Sequence, residues 1–172
     1  MRALLSFAGA TLCVPRHPMI DRKDGGNLWV MPPRPVWDRS ELQPEELVAW
    51  CYLIAASGRA MLEVLPHLSG GVINYWEAGN WALNEAAEPR GPKVGHLHKR
   101  VHMHLIGRSP TATDPDWAWG EAPVYPPYER MQEWWSAKEN LTVPEQRAVA
   151  VKANEILISK YAVDGSAIDI LV

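Results

Sequence analysis

The stretch Gly95-His96-Leu97-His98-Lys99-Arg100-Val101-His102-Met103-His104-Leu105-Ile106-Gly107-Arg108 constrains this chain more than any other. Four of the six histidines lie in it, all at even positions, and Arg100 shares their parity. Successive side chains of a strand point to opposite faces. Read as one strand, the stretch sets a row of imidazoles and a guanidinium on one face. It turns Val101, Met103 and Leu105 to the other. A sheet must accompany it, with one face turned to a core. The other face can bind an anion, chelate a metal or present an imidazole nucleophile.

The flanking sequence supplies that sheet. Asn27-Leu28-Trp29-Val30-Met31 reads as a buried strand between the turn signal Asp24-Gly25-Gly26 and the stop Pro32-Pro33. The apolar run 3–14 holds a strand over Ala10 to Val14. Ser40 or Gln43 caps a helix that has Pro44 in its first turn and Glu45 and Glu46 at its positive end. Leu47, Trp50, Cys51, Ile54, Met61 and Leu62 recur at helical spacing and carry it to about Val64. Ala55-Ala56-Ser57-Gly58 suits close approach by another element.

Gly71 to Trp76 and Asn80 to Leu83 read as strand segments, with Glu77-Ala78-Gly79 either a bulge or a tight hairpin, and Asn84 to Pro92 as a loop. Ser109 to Tyr128 is too rich in proline for regular structure. It reads as an ordered loop that packs by Trp117 and Trp119 across an opening. Helices are predicted over Tyr128 to Lys138 and Pro144 to Tyr161, and Ala167 to Val172 is a terminal strand or a docking segment. This order predicts an α+β fold: a mostly antiparallel sheet packed with a long helix, plus a C-terminal helical extension. Residues 1–110 form the core and 111–172 the loop and helical extension, packed on the same domain.

Composition narrows the partners. A chain of 172 residues has room for one domain with a real core. Its net charge of -3 gives no bulk electrostatic case for nucleic acid. No run of about 20 apolar residues is evident, so no membrane partner is expected. Cys13 and Cys51 lie far apart with no CxxC spacing, which reads as buried free thiols in a reducing, cytoplasmic setting, with a single disulfide as the alternative. Met1-Arg2 and the apolar run after it mimic a short leader. With no A-x-A site, a first strand or an N-terminal arm is the preferred reading.

Two stretches resemble the histidine-triad (HIT) superfamily of nucleotide hydrolases and transferases. Gly25-Gly26-Asn27-Leu28-Trp29-Val30-Met31-Pro32-Pro33-Arg34, followed by Leu42-Gln43-Pro44-Glu45-Glu46, is similar to the family's first signature strand, proline loop and helix start. Val101-His102-Met103-His104-Leu105-Ile106-Gly107-Arg108 is similar to the end of the triad strand, and Asn84 matches the asparagine that opens the phosphate loop. The resemblance covers roughly residues 10–110. It implies a HIT-like domain acting on a nucleotide, commonly as a homodimer. It makes His102 the nucleophile and His104 the third triad member, while Arg100 replaces the first histidine. Asn27 stands where the family has a histidine, and the Gly-Gln-Ser/Thr cradle has no clear counterpart.

The chemistry follows from those residues. A neutral His102 attacks phosphorus and forms a nucleotidyl-histidine intermediate. His104, one pleat along and roughly 7 Å away between α-carbons, donates to the phosphate. Arg100 holds phosphate more firmly than an imidazole but cannot deliver a proton, which leaves His98 or His96 for that task. Arg108, Asn84, Asn27 and His98 complete the expected phosphate or nucleotide contacts. Each has a plainer reading as an ion-pair, turn or loop residue. No cofactor is required. Two alternatives stand beside the enzyme: a catalytically weak nucleotide-binding protein on the same fold, and a divalent metal site built from His96, His98, His102 and His104. The metal is disfavoured because no carboxylate lies in the strand and Arg100 would sit beside the ion.

Overall fold

The computed structural model describes residues 1–78, 101–127 and 130–172. Among these residues six strands form one sheet: β1 (Arg2–Phe7), β2 (Ala10–Val14), β3 (Asn27–Met31), β4 (Val72–Ala78), β5 (His102–Arg108) and β6 (Ile168–Ile170). Their order across the sheet is β4-β5-β3-β2-β1-β6, and every pairing is antiparallel. With three α-helices among the described residues, α1 (Pro44–Val64), α2 (Met131–Ser136) and α3 (Val143–Tyr161), this is the expected α+β class.

The apolar run 3–14 is two strands rather than one. They are joined by Ala8 and Gly9, at φ 47° and 85°. A two-residue turn with both positions left-handed matches the twist of a hairpin. Alanine at the first of them hides the turn from a sequence reading.

The odd positions of β5 face the helices. Leu105 lies across from Leu28 on β3 and joins Leu12, Val30, Trp50, Leu53 and Met61 in the main core. Helix α1 starts as the sequence suggests. Pro44 occupies its first turn, and the Glu46 carboxylate accepts from the Gln43 N–H at 2.8 Å. Its Trp50 indole donates to the Val30 carbonyl at 3.0 Å, tying the helix to β3. Gly58 leaves room for the Tyr75 phenol from β4, which a Cβ there would strike.

Helix α3 packs along α1, with Val149, Ala150, Ala153 and Leu157 fully buried beside the buried Ala56 and Ala60 of α1. Small residues on both helices permit that approach. Its N-terminus is a reciprocal cap between Thr142 and Glu145. Helix α1 corrects one expectation: by length and composition, with mean hydropathy 1.4 over its best window, it is apolar enough to cross a membrane. Half of that window is buried in the protein, as for a core helix.

The opposite face of the sheet carries Trp29, Trp76, His102, His104 and Ile106, and Trp117, Tyr125 and Trp134 pack across it. Trp117 is 0% exposed and packs with Met19, Ile20 and Ile106. The C-terminal third therefore contributes to both faces through α3 and the returning segment, and to one edge through β6, which pairs with β1. Glu77 and Ala78 continue β4 instead of forming a bulge or turn. The strand reading of Asn80 to Leu83, the loop at 84–92 and the stretch 95–100 lie outside the described residues. Within the predicted helix 128–138, α2 occupies Met131–Ser136.

Candidate functional site

Strand β5 lies between β3 and β4, so any even-numbered side chain on it is flanked by a neighbour on each side. For His104 both neighbours are tryptophans: the register pairs it with Trp29 on β3 and Trp76 on β4. The imidazole is 5% exposed. It meets the Trp29 ring at 5.1 Å edge-on and the Trp76 ring at 5.0 Å in a stacked arrangement. His102 lies 4.8 Å from His104 between ring centroids and 4.7 Å from Trp29. The two candidate catalytic histidines are thus adjacent on one face, as alternation requires, and indoles hold their ring planes. Rings fixed by packing need little reorganisation when a reacting group arrives.

The aromatic layer extends away from the histidines. Tyr125 lies 5.7 Å from Trp76 and 5.6 Å from Trp117, and Trp134 stacks at 6.2 Å on Trp117. Burial pushes the Tyr125 phenol above its ordinary pKa, with Arg108 opposing, so it stays protonated and available as a donor at neutral pH. Beyond Tyr125 is a cavity of about 520 Å³ lined by Val124, Pro126, Trp134 and the ion pair Lys138–Asp114 at 2.6 Å.

Two residues expected to contact phosphate make protein contacts. Asn27 is buried: its Oδ1 accepts from the Met19 N–H at 3.2 Å, and its Nδ2 donates to the Leu28 and Leu105 carbonyls at 3.1 Å each. Arg108 is 5% exposed, and its Nη2 donates to the carbonyls of Ala118 at 2.8 Å and Glu121 at 2.9 Å. Arg100, Asn84, His98 and His96 lie outside the described residues. Among the described residues, no three His, Cys, Asp or Glu side chains gather in a way that could hold a metal ion.

Other expectations shift in detail. Both cysteines are free, but only Cys13 is buried, its thiol pushed up to about 11 by burial; Cys51 is exposed. His67, expected at the surface, is half-buried. Desolvation leads the causes that lower its pKa, against the raising effects of Glu145, the Gly25 backbone and Asp24. His17 stacks on Trp135 at 5.6 Å, and Asp21 accepts from the backbone N–H groups of Lys23 and Glu139. Of the two tryptophans assigned to the proline-rich loop, Trp117 is core and Trp119 is exposed. Trp29, Trp76 and Tyr125 were not singled out by sequence. Trp29 shares parity with Asn27 and carries a readable signal. Trp76 reaches His104 only through strand register, and Tyr125 reaches Trp76 only through the return of the loop.

No family model matches the chain, and no curated protein matches it. Among solved structures it is similar to the crystal structure of a hypothetical histidine triad nucleotide-binding protein from Sulfolobus tokodaii strain 7. The two share 10% identity over 93% of this chain and 89% of that one, with a TM-score of 0.47.

Proposed function

We propose that this chain is a histidine-triad-like protein that binds a nucleotide on the histidine face and cleaves or transfers at its α-phosphate, with His102 as nucleophile. The observation that carries the reading is the adjacent pair His102 and His104, their rings 4.8 Å apart on one face of an interior strand and braced by Trp29 and Trp76. In the proposed reaction a neutral nitrogen of His102 forms a bond to phosphorus as the bond to the leaving group breaks. Water or a second acceptor then displaces the histidine and takes the nucleotidyl group. His104 donates to a phosphoryl oxygen, and Arg100 adds a fixed positive charge. Neither step calls for a metal. The proposal includes a homodimer, supported by the exposed Val72 and Tyr75 on β4, which ends the sheet among the described residues.

Nucleotide substrates bearing a radiolabelled α-phosphate test the reading. The wild-type protein should yield an acid-labile adduct at His102, and His102→Ala should lose turnover by several orders of magnitude. Unchanged turnover in that variant sinks the nucleophile assignment. A second reading, a catalytically weak nucleotide-binding protein, is favoured by one observation. Asn27 and Arg108 donate to the protein's own carbonyls, leaving fewer groups to stabilise a transition state. Calorimetric nucleotide binding with no turnover across a substrate panel selects it.

A further inference from the structure

Arg108 ends β5 on the face that carries His102 and His104, and it is a buried cation with no carboxylate partner among the described residues. Burying an unpaired guanidinium is costly unless its N–H groups find acceptors. Here the acceptors are the backbone carbonyls of Ala118 and Glu121, with the guanidinium carbon 5.7 Å from the Trp117 ring. The segment so gripped is a tight turn: the Glu121 N–H reaches the Ala118 carbonyl at 3.3 Å, and Gly120 has φ +81°. The Val124 N–H donates to the Asp116 carbonyl at 2.9 Å and fixes the return path one residue before Tyr125. The grip of Arg108 thus sets where Tyr125 stands.

Tyr125 and Trp76 differ from the rest of the aromatic layer. Trp117 is fully buried, whereas Trp76 is 37% and Tyr125 42% exposed. Both rings keep surface open to solvent, they lie 5.7 Å apart, and the Trp76 ring stacks on the imidazole of His104. We propose that Arg108 is a positioning residue that latches the 117–121 turn, and that the Tyr125 and Trp76 it brings together form the wall on which the planar base of the bound nucleotide stacks. This rests on the nucleotide reading above. Stacking accepts any base, because every base has a π-face, so the wall distinguishes nucleotides from sugar phosphates and not one base from another.

The test compares calorimetric binding of adenosine 5′-monophosphate with ribose 5-phosphate, which carries the same phosphate and sugar without the base. The wild-type protein should favour the nucleotide by roughly tenfold or more. Tyr125→Leu should abolish that preference while leaving ribose 5-phosphate affinity unchanged, and Tyr125→Phe should retain it. Arg108→Lys should lose the preference as Tyr125→Leu does, with its circular dichroism spectrum unchanged. A preference that survives in Tyr125→Leu overturns the inference and leaves the nucleotide reading standing. So does a fall in ribose 5-phosphate affinity in that variant, since Tyr125 would then serve the phosphate. If neither ligand binds the wild-type protein, the nucleotide reading fails and takes this inference with it. Should Arg108→Lys fail to fold, the partly exposed Tyr125 still decides the matter.

Discussion

Ala8 holds a conformation that suits glycine, φ 47° at the first position of the β1–β2 turn. A left-handed alanine costs about 1–2 kcal/mol, and glycine gives back part of that through its extra freedom in the unfolded chain. Ala8→Gly should therefore raise stability by roughly 0.5–1 kcal/mol, measured by urea denaturation. His67 makes a pH-dependent contribution of predictable sign. Burial lowers its folded pKa below the ordinary histidine value, so the unfolded state takes up a proton first as pH falls. Its contribution is complete above about pH 6.5 and is lost as pH drops through the folded pKa. Replacing it by glutamine should flatten the wild-type decline in stability on that acid side. An unchanged slope would mean that the opposing Glu145, Gly25 and Asp24 cancel the burial effect. That His102 and His104 share one face was legible at this scale because alternation is local. The roles of Asn27 and Arg108 were not, because their acceptors belong to segments brought together by folding.

Helices α1 and α3 begin where their sequence says they should. Pro44 with Glu45 and Glu46, and Thr142 with Pro144 and Glu145, act on backbone groups within one turn, so their effect can be read without the fold. Thr142→Ala removes the side-chain oxygen that accepts from the Glu145 N–H, and also the hydroxyl bonded to the Glu145 carboxylate at 2.8 Å. It should cost about 1 kcal/mol in thermal or urea unfolding, with the histidine face unaffected. Strand β3 was readable for a similar reason, since Gly26 and Pro32 bound it on both sides. The β1–β2 hairpin was not, because its turn opens on alanine. The pairing of Trp76 with His104 was equally hidden. It follows from the register between β4 and β5, and a shift of one residue would place Tyr75 there instead.

In the whole molecule the sheet divides the labour. Its helix-facing side is a continuous apolar core closed by α1 and α3. Its other side carries aromatics, histidines and the segment latched by Arg108. The two thiols can report on that organisation. Cys51 is exposed on α1 and should react with a disulfide reagent at once. Cys13 is buried on β2 with its thiol held at about 11, and should react only when the fold opens. Equal rates for the two in the native protein would contradict the burial of β2. The place of β6 bears on how such a protein is made. β1 precedes the other described strands of the sheet in the chain, yet its outer edge is covered by residues far along it, Ser6 and its partner Asp169 being 163 positions apart. Until that segment leaves the ribosome, β1 shows an unpaired row of backbone donors and acceptors beside the buried Leu5 and Phe7. The nascent chain is therefore most prone to aggregate after β5 has emerged and before β6 follows, when the rest of the sheet can already form and β1 still lacks a neighbour.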